Sequence, residues 1–332
     1  MRASQDLKPS ILVTGAAGFI GARFVESCNH KNIPLISVDE LDFFKNREEH
    51  RGLDFGRMVD RDDLFHWLQA NDPHLSSIVH LGACSNTMET DEHFLNRVNV
   101  EYSQKLWNYC AQKQIPLVYA SSAATYGDGD AGYEDDESRF GDLKPLNLYG
   151  KSKLLFDRWV LDQEKNRMQP PVWRGFKFFN VYGMGEKHKG PMASVVFKAF
   201  EQIRKTGRVE LFKSHKNGIA DGEQKRDFVY VGDVIEILHF ALEHPIKRGV
   251  FNLGSGRARS FLDLTRAVFK AMNRPENVTF IETPAQIRDK YQYFTEAPMV
   301  RLLSEGYTGK MTPLEDGVLE TVKKLLVIRP KI

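Results

Sequence analysis

The chain has little cysteine: three residues in 332, Cys28, Cys84 and Cys110, an odd number set far apart with no CxxC pair. That pattern excludes a disulfide scaffold and a cysteine-rich zinc site, and it fits a reducing compartment. The histidines likewise lack metal-ligand spacing, so no metal is expected. No apolar run approaches the roughly 20 residues of a membrane-crossing helix. The N-terminal MRASQDLKPS lacks the apolar core of a signal peptide. A cytoplasmic protein with no membrane partner is therefore expected. The formal charge is only +2, and no long basic tract interrupts the chain, which leaves nucleic acid without an electrostatic foothold. What is present is ordinary for a globular protein: 42% hydrophobic and 27% charged residues, in a chain long enough for one large or two modest domains.

Short β-branched runs alternate with longer amphipathic stretches. SILVTG (10–15), PLISVD (34–39), SSIVHLGA (ending at Ala83), IPLVYASS (115–122) and VWRGFKFFNVYG (172–183) read as strands. Over 99–113, Val100, Ser103, Leu106 and Trp107 keep a helical period. Strand–helix–strand repeats imply an α/β fold, a doubly wound parallel sheet covered on both faces. Further on, 192–206 reads as a helix and SHKNGIADGEQK (214–225) as an exposed loop. RDFVYVGDV and GVFNLGSG read as strands returning to the sheet, and the tail, 257–325, as helices with short linkers. The expected organisation is a dinucleotide-binding domain, 1–179 with about 229–256 and the C-terminal end. A smaller, discontinuous α/β substrate domain would take about 180–228 and 257–313.

GAAGFIG places Gly15, Gly18 and Gly21 directly after the first strand, at the start of a helix. Glycines allow a tight turn and close approach to a pyrophosphate, and the helix N-terminus offers free N–H groups. Asp39 lies 24 residues beyond Gly15, at the end of the next strand, where an acid binds the adenosine ribose hydroxyls. Glu40 adds a carboxylate that repels the extra phosphate of NADP, while Lys45 and Arg47 offset it. NAD versus NADP stays open at this point.

Tyr149 and Lys153 stand at i and i+4 in NLYGKSKLLFDRWV, one turn apart on one helix face. A tyrosine with pKa near 10 is a poor base at neutral pH. A nearby ammonium and a positive nicotinamide would favour the phenolate, which can then take a proton from an alcohol. Lys153 can also hold the nicotinamide ribose. Ser122, at a strand end, can donate a hydrogen bond to the reacting oxygen. KHKGP (187–191) is a bunch of charge in which Lys187 and His188 read as solvated loop. Gly190 and Pro191 can shape the entry to the next helix, with Pro in its first turn. Asp227 and Asp233 read as structural, Asp233 as a cap for a helix near Val234, and Phe178 and Phe179 as core.

The order GAAGFIG, HLGACSN, ASSAATYG, YGKSK resembles the extended short-chain dehydrogenase/reductase family over nearly the whole chain. ACSNT, LVYASSAATYG, KPLNLYGKSK, FKFFNVYG, HKGPMAS and QKRDFVYVGDV more narrowly resemble the ADP-L-glycero-D-manno-heptose 6-epimerases. That resemblance implies a Rossmann-type fold, NADP or NAD held tightly at one per subunit, a homo-oligomer, and an ADP-heptose substrate used for lipopolysaccharide cores. It implies a redox-neutral inversion through a transient 6-ketone, with proton management on both faces of the centre.

By the same resemblance, Phe19 and Ile20 fall on the cofactor loop. Leu81, Gly82, Ala83, Cys84 and Ser85 form the loop by the nicotinamide, and Asn99 and Val181 are cofactor contacts. Ser122, Tyr149 and Lys153 match the catalytic set, and Lys189 matches a second base. Ser85, Asn180, Arg226 and Tyr291 match substrate contacts, Ser122 among them. An arginine suits a diphosphate because its fork can bind two oxygens. Phe212, Lys213, Ser214 and His215 match a segment at the nucleotide.

The chain departs from those relatives at two substrate positions. Pro191 stands where they have a contacting serine, and Lys198 where they can have a histidine. The 214–225 loop also reads as longer. A 4,6-dehydratase is disfavoured because Ala123 and Ala124 replace the Asp-Glu pair that such relatives carry after the catalytic hydroxyl. A nucleotide-sugar 4-epimerase and a non-catalytic dinucleotide-binding protein are the alternatives.

Overall fold

The computed structural model describes residues 8–45, 47–288 and 291–328, and the side chains of 286 and 287 are not described. Seven strands form one sheet in the order Gly249–Leu253, Trp173–Phe178, Leu117–Ser122, Leu75–His80, Ser10–Thr14, Leu35–Asp39 and Arg57–Asp60. Every neighbouring pair is parallel. Parallel strands need crossovers and cover on both faces, and their residues accordingly read as unbroken apolar runs. Helices Phe19–His30, Tyr102–Lys113, Leu148–Lys165 and Val231–Glu243 occur among those crossovers. This is the doubly wound, Rossmann-type arrangement that the strand–helix alternation predicts. The strand Arg57–Asp60, with only Val59 buried, carries too weak a pattern to be read in advance.

The run 172–183 is not one strand. It breaks at Phe179, whose N–H donates to Leu253 O at 3.0 Å. Trp173–Phe178 lies in the large sheet, and Asn180–Tyr182 starts a three-stranded sheet with Lys225–Tyr230 and Ala258–Ser260. RDFVYVGDV therefore does not return to the large sheet, although Gly249–Leu253 does. Its VGDV portion opens the helix Val231–Glu243. Asp233 sits inside that helix's first turn and accepts from Thr312 N–H and Oγ1–H at 2.9 and 2.6 Å, so it ties two segments together and caps nothing.

A large hydrophobic cluster surrounds the seven-stranded sheet and takes in Ala297, Met299, Leu302 and Tyr307. A second cluster joins Tyr182, Val196, Phe200, Leu264, Val268, Val318 and Val322. Two expected boundaries shift accordingly. Residues 297–307, placed with the substrate unit, pack on the large sheet. The C-terminal helix Leu314–Ile328, placed with the dinucleotide unit, packs in the second cluster. Both were invisible in the sequence because amphipathic helices do not declare which core they face.

Candidate active site

A cleft of ≈ 780 Å³ opens where Thr14, Asp39, Leu81 and Ser122 end or follow their strands, the position at which doubly wound sheets bind ligands. Its floor is the GAAGFIG turn. Gly15 has φ +67°, and a Cβ there would lie 2.6 Å from Gly82 N. A Cβ on Gly21 would lie 2.0 Å from Gly15 O. Only glycine fits both places. Gly18 precedes the helix Phe19–His30, with no side-chain cap on its first N–H groups. A turn packed so tightly on neighbouring backbone that no side chain fits, followed by a helix N-terminus with no side-chain cap, suits a dinucleotide pyrophosphate.

Asp39 marks the adenosine end. Its carboxylate accepts from Ala17 N–H and Glu40 N–H, each at 3.0 Å. Burial raises its pKa, against these two bonds and the charges of Arg47 and Arg61. Arg47 and Arg61 both line the cleft beside it, and Arg47 lies 4.5 Å over the Phe43 ring. Two expected residues are absent from the lining. Glu40 turns outward to Arg61 at 2.9 Å, and Lys45 is exposed at the end of a short helix. Arg47 and Arg61 are thus the cations beside Asp39, and Arg61, 22 positions beyond it in the turn after another strand, gave no local signal.

Phe19, Ile20, Leu81, Gly82, Ala83, Cys84, Ser85 and Val181 all line the cleft. Asn99 does not. It is buried in a π-helical stretch, Asn96–Glu101, and clamps the loop from behind, accepting from Cys84 N–H at 2.8 Å and donating to Cys84 O at 3.0 Å. A polar chain continues inward. Ser103 Oγ donates to Asn99 O, so it accepts from His80 Nε2–H at 2.8 Å. His80 Nδ1 must then accept from Thr14 Oγ1–H at 2.6 Å, and Thr14 Oγ1 accepts from Gly82 N–H at 3.1 Å. Burial, with the Lys153 charge adding to it, lowers the His80 pKa to about 3, so the ring is neutral near pH 7. The tautomer that this chain dictates is therefore the only form the pocket accepts.

The opposite wall carries Ser122, Tyr149 and Lys153. Asn147 caps the helix Leu148–Lys165 by accepting from Gly150 N–H at 2.8 Å. That sets the first turn and points Tyr149 and Lys153 inward. Burial raises the Tyr149 pKa and a hydrogen bond from Ser122 opposes it. Burial lowers Lys153 to about 8 against the pull of Asp157, so Lys153 stays an ammonium at neutral pH. Its Nζ donates to Ala120 O at 2.9 Å. Behind it, fully buried Asp157 accepts from Ser121 Oγ–H at 2.6 Å and pairs with fully buried Lys177 at 3.2 Å. The pairing offsets the cost of burying both charges.

KHKGP closes the rim. Lys187 is exposed and lies 3.5 Å from Glu48. His188 is exposed as a residue, yet its side chain, only 20% exposed, lines the cleft and meets Glu49 Oε1 at 3.2 Å, so it is more than solvated loop. Burial pushes the Glu49 carboxyl up, but the hydrogen bond from His188 and nearby charges outweigh it and leave Glu49 at about 2. Lys189 lines the cleft with its Nζ 5.3 Å from the Phe19 ring centre. Gly190 and Pro191 belong to the turn Lys187–Met192, and the next helix starts at Val195 with Ser194 as its cap. Pro191 therefore lies before that helix and not in its first turn.

The remaining expected residues stand outside this cleft. Asn180 is exposed on its strand, and Pro191 is exposed on the rim. Lys213 pairs with Glu282 at 2.8 Å. Ser214 N–H donates to Asp221 at 2.7 Å and His215 N–H to Tyr293 Oη at 3.0 Å, so the 214–225 loop is folded onto itself. Phe212 and Tyr291 do meet, edge to face with centroids 6.5 Å apart, and Arg226 lies 5.6 Å over Tyr291. Arg226 is buried, donates to Lys225 O and Gln292 O, and has no carboxylate partner among the described residues. Asp227 next to it is structural, accepting from Ser255, Gly256 and Ala297 N–H.

The cysteines are free, with Cys84 half-buried in the cleft wall and the other two buried. Among the described residues no helix is long and apolar enough to cross a membrane, and no cluster of three metal-ligating side chains occurs.

Comparison with known proteins places the chain in a family. The sequence model of the NAD dependent epimerase/dehydratase family matches residues 11–254. The ADP-L-glycero-D-manno-heptose-6-epimerase of Fusobacterium nucleatum subsp. nucleatum is 46% identical, covering 95% of this chain and 98% of its own. The protein of that name from Nitratidesulfovibrio vulgaris is 43% identical, covering 95% and 97%. The crystal structure of Helicobacter pylori ADP-L-glycero-D-manno-heptose-6-epimerase superposes with a TM-score of 0.79 at 28% identity over 96% of each chain. With its glycine cradle, its Tyr149–Lys153 pair and these relatives, the chain belongs to the NAD dependent epimerase/dehydratase family.

Proposed function

We propose that this protein inverts C6 of ADP-D-glycero-D-manno-heptose, giving the L-glycero epimer through a transient 6-ketone. The observation that carries this reading is the placement of Lys189 in the same cleft as Ser122, Tyr149 and Lys153. An oxidation alone needs one base, whereas inversion needs proton transfer on both faces of the centre. The bound nicotinamide would supply reversible hydride exchange at C6. Tyr149 takes the C6 hydroxyl proton in one direction, helped by the Lys153 ammonium. Ser122 donates a hydrogen bond to the same oxygen. Lys189 handles the proton when the ketone presents its other face.

Arg226, a buried cation with no carboxylate partner among the described residues, supports recognition of the sugar's diphosphate, with Phe212 and Tyr291 beside it. The second hydrophobic cluster is read as the core of the substrate-binding unit. Asp39 suits the ribose hydroxyls of NAD, and Arg47 and Arg61 supply the cations that an added 2′-phosphate of NADP requires. Both dinucleotides are therefore read as accepted, held tightly at one per chain.

The test is incubation with ADP-D-glycero-β-D-manno-heptose, with the C6 configuration followed by NMR and reduced cofactor by absorbance. Inversion is expected with no added cofactor and no accumulation of its reduced form. Stoichiometric reduced cofactor, or inversion of a UDP-hexose at C4 with the heptose untouched, overturns the reading.

A further inference from the structure

Glu186 is almost completely buried, with 1% of its surface exposed, yet it stands three residues from Lys189 on the rim of the cleft. Its Oε1 accepts from Gly183 N–H at 3.2 Å and Ser194 Oγ–H at 2.6 Å. Its Oε2 accepts from Ser194 N–H at 2.7 Å and lies 3.5 Å from Lys189 Nζ. One carboxylate therefore ties the start of the 183–194 segment to its end and meets the lysine between them. Its own carbonyl accepts from Lys189 N–H at 3.0 Å. The middle of the segment needs such a tie, because Gly190, at φ +50°, has nothing within 4 Å of where a Cβ would lie.

We infer that Glu186 is a positioning residue that holds the Lys189 side chain at the cleft. This rests on the reading of Lys189 as the second base. A buried carboxylate fixed by three hydrogen bonds gives the Lys189 Nζ a rigid partner, and removing its charge releases that side chain. The charged and titratable groups facing this pair are Lys198, whose charge is felt by way of Glu186 and Lys189, and His188, turned away to Glu49. Two lysines thus share one carboxylate. A neutral amide in its place leaves their mutual repulsion unopposed and frees Lys189 from its anchor.

The experiment compares Glu186→Gln, Lys189→Met, the double variant and Ser194→Ala. Each is checked for circular dichroism and dinucleotide content, then assayed for kcat and KM. Glu186→Gln should keep dinucleotide content and KM and lower kcat roughly tenfold. Ser194→Ala, which removes one bond to Glu186 but not its charge, should lower kcat less. In the Lys189→Met background, Glu186→Gln should have no further effect on kcat. Wild-type kcat in Glu186→Gln, or full additivity in the double variant, overturns the inference. Wild-type turnover in Lys189→Met instead overturns the two-base reading beneath it. If Glu186→Gln does not yield folded protein, Glu186→Asp, with the charge drawn back by one methylene, should lower kcat at unchanged dinucleotide content, and a wild-type kcat there is equally fatal.

Discussion

Tyr149 carries the least replaceable atom in the proposed reaction. Without a bound nicotinamide, burial makes its phenol a weaker acid than usual, and only Ser122 pulls the other way. The phenolate therefore depends on charge brought near it, from Lys153 one turn along the helix and from the cofactor. Tyr149→Phe removes the oxygen but keeps the ring and its packing. Turnover should fall by about 10²–10⁴-fold while dinucleotide content stays that of the wild type. Unchanged turnover on the heptose would take Tyr149 out of the mechanism.

At the scale of elements, the helix Leu148–Lys165 is fitted closely against the turn Ala123–Tyr126. A Cβ on Gly150 would lie 2.6 Å from Ala124 O and 3.0 Å from Pro145 Cβ. Gly150→Ala must push the helix away from the turn, and the push falls between Tyr149 and Ser122. Stability should drop by about 1–3 kcal/mol and kcat by roughly tenfold or more, since small displacements are costly in a preorganised site. Thermal melting and steady-state kinetics check both, and wild-type values for the two would show that the contact is loose. This fit also marks what the sequence discloses. Gly15, Asp39, Tyr149 and Lys153 were legible because each motif lies on one element or one turn, where spacing alone decides geometry. Glu186 is only three residues from Lys189 and was still missed, because its role depends on burial. The His188–Glu49 contact spans 139 positions and has no local trace. Lys45 and Arg47 were read together as offsetting Glu40, and the path of the chain after the short helix Leu41–Lys45 put only Arg47 of the two in the cleft.

For the whole molecule, two buried histidines couple the fold to pH. His80 sits in the chain that joins the sheet to the cofactor loop. His239 stacks on Phe24 with centroids 4.9 Å apart and meets Ser27 Oγ at 2.9 Å. Burial, with the charge of Lys153, depresses His80 to about 3. Burial and Lys31 depress His239 to about 4, against Glu243. Both are neutral in the folded state and would take up a proton near pH 6.5 when unfolded. A base whose folded pKa is depressed contributes its full stability above the unfolded pKa and loses it as pH falls from there toward the folded pKa. The window is therefore about pH 6.5 down to about 4 for the pair, and down to about 3 for His80 alone. Each histidine should remove about 1.4 kcal/mol of unfolding free energy per pH unit in that window. His239→Gln is the cleaner probe, because it lies on the helix face away from the cleft. Urea unfolding between about pH 6 and 5 should show the wild type losing stability more steeply than His239→Gln by about 1.4 kcal/mol per unit. Equal slopes would mean that His239 titrates alike in both states and that the buried, neutral imidazole is not what couples this fold to acid.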